Sequence, residues 1–356
     1  MTNLLYTEDE TDLRDAVKDA LSRHLSSADV ADLYDNPQPW NTALWDALAG
    51  EIGLAGLLIS EDHGGFGGGP REAATVLEEL GGAVAPVPFL TSSVLATQVL
   101  NHLEAGDALE QLASGEKTAA LVLPFSARAG HWSAVEAGSS VTPVAGAWGA
   151  DLLLVPLASA DGVNLHLIEA EQATVEPVTS LDMSRPLATV SGFGEGTVLA
   201  SGDQAVAAVD FGLRSATALL ASEQYGVAYQ CLTTTVEYVK TRIQFARPIG
   251  SFQAIKHRLA DLYLQVTSAQ AAARYAAGVL NDADQDLPIA TAVAASYNAD
   301  VAVKAAEEAV QLHGGNGMTW EFPIHLLLKR AKADQLGLGT PGTHREDLAP
   351  LVDITL

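Results

Sequence analysis

From about Ala205 onward the chain is dominated by long, alanine-rich stretches almost free of helix breakers, at 207–240, 250–281, 287–313 and 323–335. Alanine has the highest intrinsic helix propensity, and segments of this length at helical composition stabilise themselves mainly by packing against one another. The connections between them are short, so consecutive helices must be antiparallel neighbours. This predicts a C-terminal four-helix bundle over 204–356.

The N-terminal part is also helical but more broken. Residues 8–24 place Leu13, Val17 and Leu21 four apart behind a run of acids, the pattern of one amphipathic face with a charge-complemented start. Residues 41–52 repeat it through Leu44, Leu48 and Ile52. Gly64 to Pro70 breaks the chain, 71–82 reads as a helix with a glycine end, and Pro86 and Pro88 mark a turn. Residues 1–116 are expected to form a helical domain. Between 117 and 203 the texture changes to Val, Thr, Ser and Gly, with short apolar runs such as ADLLLVPL and VNLHLIEA between turn residues, the pattern of a small β-barrel or sandwich. The fold class is therefore α+β, in the order helical, β, helical.

Charge excludes several roles. With 19 basic against 44 acidic side chains the net charge is −25, which repels nucleic acid and anionic membrane surfaces. A polyanionic ligand would need a local basic patch or a partner chain. Cys231 is the single cysteine, so no internal disulfide is expected, as suits a reducing cytoplasm. The first ten residues have neither a basic nor an apolar region, so no signal peptide is expected there, and no apolar run is long enough for a membrane span. Zinc-ligand spacings and Walker-type loops are lacking, so no metal site is expected.

Two motifs stand out in the C-terminal half. Residues 242–253 read RIQFARPIGSFQ, in a turn between two long helices, and residues 311–317 read QLHGGNG, at a helix end. Taken singly, the first is a helix end with a packed aromatic and the second is a turn. Together, in this order, they resemble the two C-terminal signatures of acyl-CoA dehydrogenases. GLAGLLISEDHGGFGGG at 53–69, VLEELGGAVAPVP at 76–88 and LDMSRPLATV at 181–190 extend the resemblance over essentially the whole chain.

The resemblance implies contacts to the FAD of a neighbouring subunit from Arg242, Gln244, Phe245, Gln253, Gln311, Gly314 and Gly315. The chemistry is consistent. An arginine fork suits a pyrophosphate oxygen, glutamines suit phosphate, ribose or adenine, Phe245 offers an apolar wall, and the glycines allow close backbone approach. Ala246 stands where the family has glycine, a change from which little consequence is expected.

The family reaction is α,β-desaturation of an acyl-CoA, with a carboxylate taking the α-proton and hydride leaving for the flavin. Neither family position for that base carries an acid here. In the segment matching Tyr-Glu-Gly-Thr the chain reads Gly337-Leu338-Gly339-Thr340, and ten residues before Gly226-Val227 stands Ala216, flanked by Ser215 and Thr217. No catalytic residue is therefore assigned. Glu223, Glu321, Asp334 and Glu346 are the nearest acids, each expected to be a surface or capping carboxylate. The β region also lacks the family's hydroxyl-rich pattern for the flavin ring, reading LVLPFSARAGHWSAVEAGSSVTPVAGAWGADLLLVP.

These losses resemble one subunit type of actinobacterial α2β2 heterotetrameric acyl-CoA dehydrogenases that act on steroid side-chain CoA thioesters. The resemblance implies a homologous partner that supplies the base and binds most of the acyl-CoA, and an electron-transferring flavoprotein as acceptor. Two other readings stay open: a self-sufficient homotetramer with an unrecognised carboxylate, and a scaffold subunit that never touches flavin.

Overall fold

The computed structural model describes residues 4–354 apart from 161, 195 and 283. Helix α1 (Glu8–His24) starts at a capping box, in which the Thr7 hydroxyl accepts from the Glu10 amide and the Glu10 carboxylate accepts from the Thr7 amide. Helices α2 (Ser27–Asp32) and α3 (Thr42–Asp46) follow, the latter widening into a π-turn to Glu51. Next come α4 (Pro70–Gly82), a π-wound stretch (Phe89–Ala96) that runs into α5 (Thr97–His102), and α6 (Gly106–Ala113). The residues after Pro88 are thus helical beyond the turn that the prolines mark.

The middle of the chain forms two sheets. The first has the order β1 (Ala119–Leu121), β3 (Leu152–Ser159), β4 (Gly162–Glu169), β7 (Thr197–Ser201). Its β1–β3 pair is parallel, with Ala120 opposite Leu153, and the others are antiparallel. The second has the order β2 (Ser140–Ala145), β6 (Leu187–Ser191), β5 (Thr174–Val178), all antiparallel. Val141, Val144, Leu153, Val155, Ala188 and Val190 are buried in one core cluster contributed by both sheets, so the arrangement is a small sandwich.

The C-terminal part is built on α7 (Gly202–Thr241), with α8 (Gln253–Asn281), α9 (Leu287–His313), α10 (Ile324–Leu336) and a further helix, α11 (Pro341–Leu351). That fifth helix was not expected. It begins at Thr340, whose side chain caps it, and carries Pro350 in its last turn. The α7 helix is the one described helix long and apolar enough to cross a membrane, and its apolar stretch is 72% buried inside the protein, which marks it as a core helix.

Helices α4 and α7 meet at glycines. A Cβ on Gly226 would lie 1.9 Å from the Glu78 carbonyl oxygen, and one on Gly81 would lie 2.3 Å from that of Glu223. Only glycine permits this backbone contact, which fixes the N-terminal helices against the bundle. By contrast the first half of α8 is open: Tyr263 and Leu264 are 60% and 65% exposed.

Candidate functional site

Helix α7 ends at Arg242, whose amide donates to the Tyr238 carbonyl over 2.9 Å. The next residues form a two-residue hairpin, β8 (Ile243–Gln244) against β9 (Arg247–Pro248). Its turn residues Phe245 and Ala246 both have positive φ, 52° and 61°, as a tight hairpin of this kind requires. A glycine at 246 would adopt this φ without strain, whereas for alanine the left-handed region costs roughly 1 kcal/mol. Phe245 is 88% exposed and stands edge-on to Phe252, with ring centroids 6.2 Å apart. Arg247 lies over the Phe252 ring at 3.9 Å.

Arg242, Gln244 and Gln253 are all exposed. The Gln244 amide donates back to the Ile243 carbonyl over 2.8 Å. Arg242 has no carboxylate within ion-pair distance among the described residues. Gln253 is the first residue of α8.

The second motif closes α9. Gln311 is exposed on its last turn, and Gly314 (φ 62°, ψ −139°) ends it in a conformation that side chains rarely adopt. A Cβ on Gly314 or Gly315 would meet no atom of the other described residues within 4 Å, chain neighbours aside. Packing inside the chain therefore does not demand small residues there, and the backbone is left open to an outside group.

Tyr238 joins the two motifs. Its ring stacks on His313 with centroids 4.1 Å apart, and its hydroxyl donates to the His313 carbonyl and accepts from Asn316, each over 3.3 Å. The hairpin and the glycine turn are thereby held at one end of the bundle. Tyr238, His313 and Asn316 were not singled out in the sequence. Tyr238 sits one turn before Arg242, and nothing but the fold reveals its partner 75 residues away.

The base positions are apolar in three dimensions as well. Ala216 is fully buried in α7, and Leu338 is 2% exposed between α10 and α11. The Leu338 amide donates to the Phe125 carbonyl of the β layer over 2.7 Å. A Cβ on the neighbouring Gly337 would lie 2.5 Å from the Phe125 ring. Close by, Arg128 pairs with Asp347 at 2.8 Å, and His131 approaches the same carboxylate at 3.2 Å. The β layer and the α10–α11 turn are therefore in direct contact.

Two of the four nearby acids depart from the expectation of surface carboxylates. Glu321 and Glu346 are exposed, but Glu223 and Asp334 are buried. They belong to a charged cluster with Asp182, Ser184, Arg185 and Arg330. Arg330 donates to Asp182 (2.6 Å), Glu223 (2.6 Å) and Ser184 (2.8 Å), and Arg185 donates to Glu223 and lies 3.4 Å from Asp334. Burial opposes ionisation of Glu223, but the Arg185 and Arg330 guanidiniums outweigh it and hold the carboxyl below the ordinary range. Asp334 goes the other way. Burial, reinforced by Glu223, pushes its carboxyl well above that range. Neither carboxyl oxygen of Asp334 has a hydrogen-bond partner among the described residues. The apolar-in, polar-out expectation failed here because charges can be buried when they neutralise one another. The cluster ties the β layer to α7 and α10. A carboxylate locked under two guanidiniums is a poor base, so the cluster is structural.

Comparison with known proteins places these features. The model described as "Acyl-CoA dehydrogenase, N-terminal domain" matches residues 7–116, and "Acyl-CoA dehydrogenase, C-terminal domain" matches 208–351. Acyl-CoA dehydrogenase IpdE2 of Mycolicibacterium smegmatis is 37% identical over 347 residues, covering 97% of this chain and 98% of that protein. Among solved structures, the ChsE4-ChsE5 complex from Mycobacterium tuberculosis matches with a TM-score of 0.87 at 25% identity, over 99% of this chain and 100% of the matched one. A variant of the Tcur3481-Tcur3483 steroid ACAD matches with a TM-score of 0.86 at 27% identity, over 97% and 98%.

Proposed function

The chain belongs to the acyl-CoA dehydrogenase family, and on that footing we propose that it is the subunit without the base in a heteromeric, FAD-dependent acyl-CoA dehydrogenase. One observation carries this reading. The motif residues that suit the adenine and pyrophosphate end of FAD stand open at one end of the bundle, whereas both base positions are filled by buried apolar side chains. The fit to the cofactor is thus half a fit. Arg242 is free to meet a phosphate, Phe245 stands clear of the surface, and Gly314 and Gly315 leave the backbone accessible. At the matching segment, Leu338 stands in place of an acid, and its backbone is tied to the loop after β1 through the Phe125 carbonyl.

On this reading Arg242, Gln244, Phe245, Gln253, Gln311, Gly314 and Gly315 grip the FAD of a homologous partner across an α2β2 interface. The partner supplies the carboxylate and binds most of the acyl-CoA. FAD, when bound, accepts the hydride that leaves the substrate. The chain's own part is to neutralise the pyrophosphate through Arg242 and to present backbone amides around Gly314. The resemblance to a two-protein complex and to a steroid dehydrogenase supports a heteromer acting on a steroid side-chain CoA thioester. An electron-transferring flavoprotein would take the electrons, and the setting would be the cytoplasm. The chain would divide into domains at 1–116, 117–203 and 204–356.

The test is Arg242→Ala, co-expressed with the partner. Loss of a charge-assisted, forked contact should weaken FAD binding by about tenfold or more while leaving the complex assembled. Unchanged FAD content would favour the scaffold reading instead.

A further inference from the structure

A cavity of about 350 Å³ lies between the end of α1, the start of α2, the end of α4, the last third of α7 and the start of α10. It is far from both base positions. Helix α7 rises about 21 Å between Ala216 and Gln230, which lines the cavity. Helix α10 rises about 14 Å between Leu327, also in the wall, and Leu336, before the chain reaches Leu338. None of the residues assigned to FAD lines it.

Most of the wall is hydrocarbon. Leu21, Val30, Val84, Ile324 and Leu327 are buried, and Phe322 is half-buried beside them. Among the described residues the lining includes no Asp, Glu, Lys or Arg. Val84 takes its place there with φ 52°, a conformation that strains a β-branched residue. It closes α4, its amide donating to the Gly81 carbonyl over 3.0 Å and the Ala85 amide to the Leu80 carbonyl over 2.9 Å. Glycine would end the helix in this way without strain. The fold accepts the strain and keeps an isopropyl group in the wall.

One polar group in the wall is both buried and unpartnered. His313 is 5% exposed, and its Nδ1 lies 2.7 Å from the Ala309 carbonyl. A carbonyl only accepts, so Nδ1 carries the proton. Burial lowers the His313 pKa and keeps the ring neutral near pH 7. Nε2 is then an acceptor, and it has no hydrogen-bond partner among the described residues. Other polar groups of the wall are engaged locally. The Ser22 hydroxyl donates to the Asp19 carbonyl over 2.9 Å, the Ser26 hydroxyl to the Asp29 carboxylate over 2.7 Å, and the Gln230 amide to the Thr234 hydroxyl over 3.0 Å. The Asp29 carboxylate beside Ser26 disfavours an anion. A hydrocarbon wall without a counter-charge suits an uncharged, largely apolar molecule, and an open acceptor calls for a group that donates. The volume is at the small end of ligand pockets, which begin at roughly 300 Å³.

We propose that this cavity binds a small neutral alcohol, with its hydroxyl donating to His313 Nε2 and its hydrocarbon part against the apolar wall. The proposal does not depend on the reading of the chain as a dehydrogenase subunit.

Titration calorimetry of the full chain with 1-octanol tests it, with octanoate and 2-octanone as comparison probes of the same length. The expected result is saturable one-to-one binding of octanol, with octanoate about tenfold or more weaker and 2-octanone, which cannot donate, about threefold or more weaker. His313→Phe, which keeps a ring against Tyr238, should weaken octanol about fivefold. Ala83→Leu fills the cavity from another part of its wall, leaves His313 in place and should abolish binding. The comparison of octanol with 2-octanone tests the hydroxyl contact on the unaltered chain. Absence of saturable octanol binding, equal affinity for octanoate or 2-octanone, or octanol affinity unaffected by either variant would overturn the proposal.

Discussion

The backbone amide of Leu338 donates to the carbonyl of Phe125 over 2.7 Å, joining the segment that resembles a base position of the family to the loop after β1. Restoring the acid should therefore not restore a reaction. Leu338→Glu would place a carboxyl at a 2% exposed site whose backbone already has φ 55°. We expect no gain of dehydrogenase activity and a loss of about 2–4 kcal/mol in stability by urea unfolding, the usual scale for an uncompensated buried polar group. Turnover by the variant chain alone would show that the cleft opens and accommodates a flavin.

Arg330 is the hub of the buried charge cluster, contacting Asp182, Glu223 and Ser184. Arg330→Met removes the hub, strands the buried Asp182 carboxylate and leaves Glu223 with Arg185 alone. The expected cost is about 3–5 kcal/mol in denaturant unfolding. Breaking the more exposed Arg258–Glu308 pair by Arg258→Ala should cost under about 1 kcal/mol, because solvent already screens it. Similar effects for the two variants would contradict the assignment of the cluster as the tie between layers.

Asp334 gives a pH signature. Its folded pKa is raised, so the folded state retains a proton that the unfolded chain releases above about pH 4. Its contribution to stability therefore falls as pH rises through that point. Asp182 and Glu223 act in the opposite sense, since their folded pKa values are depressed and they lose their stabilising effect as pH falls. To the extent that they titrate alike in both proteins, their effects cancel in a comparison of Asp334→Asn with the wild type. The variant should gain on the wild type between pH 4.5 and 7.5, measured as the difference in urea midpoints. A difference independent of pH would mean that Asp334 is ionised in the folded protein.

Much of this was legible in the sequence because helices and strands leave periodic traces. The span 8–24 reads directly from Leu13, Val17 and Leu21, and the helix runs Glu8–His24. Long alanine-rich stretches likewise located α7, α8, α9 and α10 to within a few residues. Helix α11 escaped because eleven residues with proline in the last turn carry little periodicity. The buried roles of Glu223 and Asp334 escaped for a different reason. Arg185, which faces both of them, is distant in sequence from each, Arg330 is distant from Glu223, and local pattern assigns an isolated acid to the surface. The motif residues were found by their order, but their common placement depends on Tyr238 and His313, which only the folded chain brings together.

The account rests most directly on where the flavin belongs. The visible spectrum against protein mass would be recorded for this chain purified alone and for the chain co-purified with its homologous partner. Colourless protein alone, with about one FAD per pair of chains in the complex, is the predicted result. Flavin near one per chain in the isolated protein would contradict it and would require a complete ring-binding site within this chain.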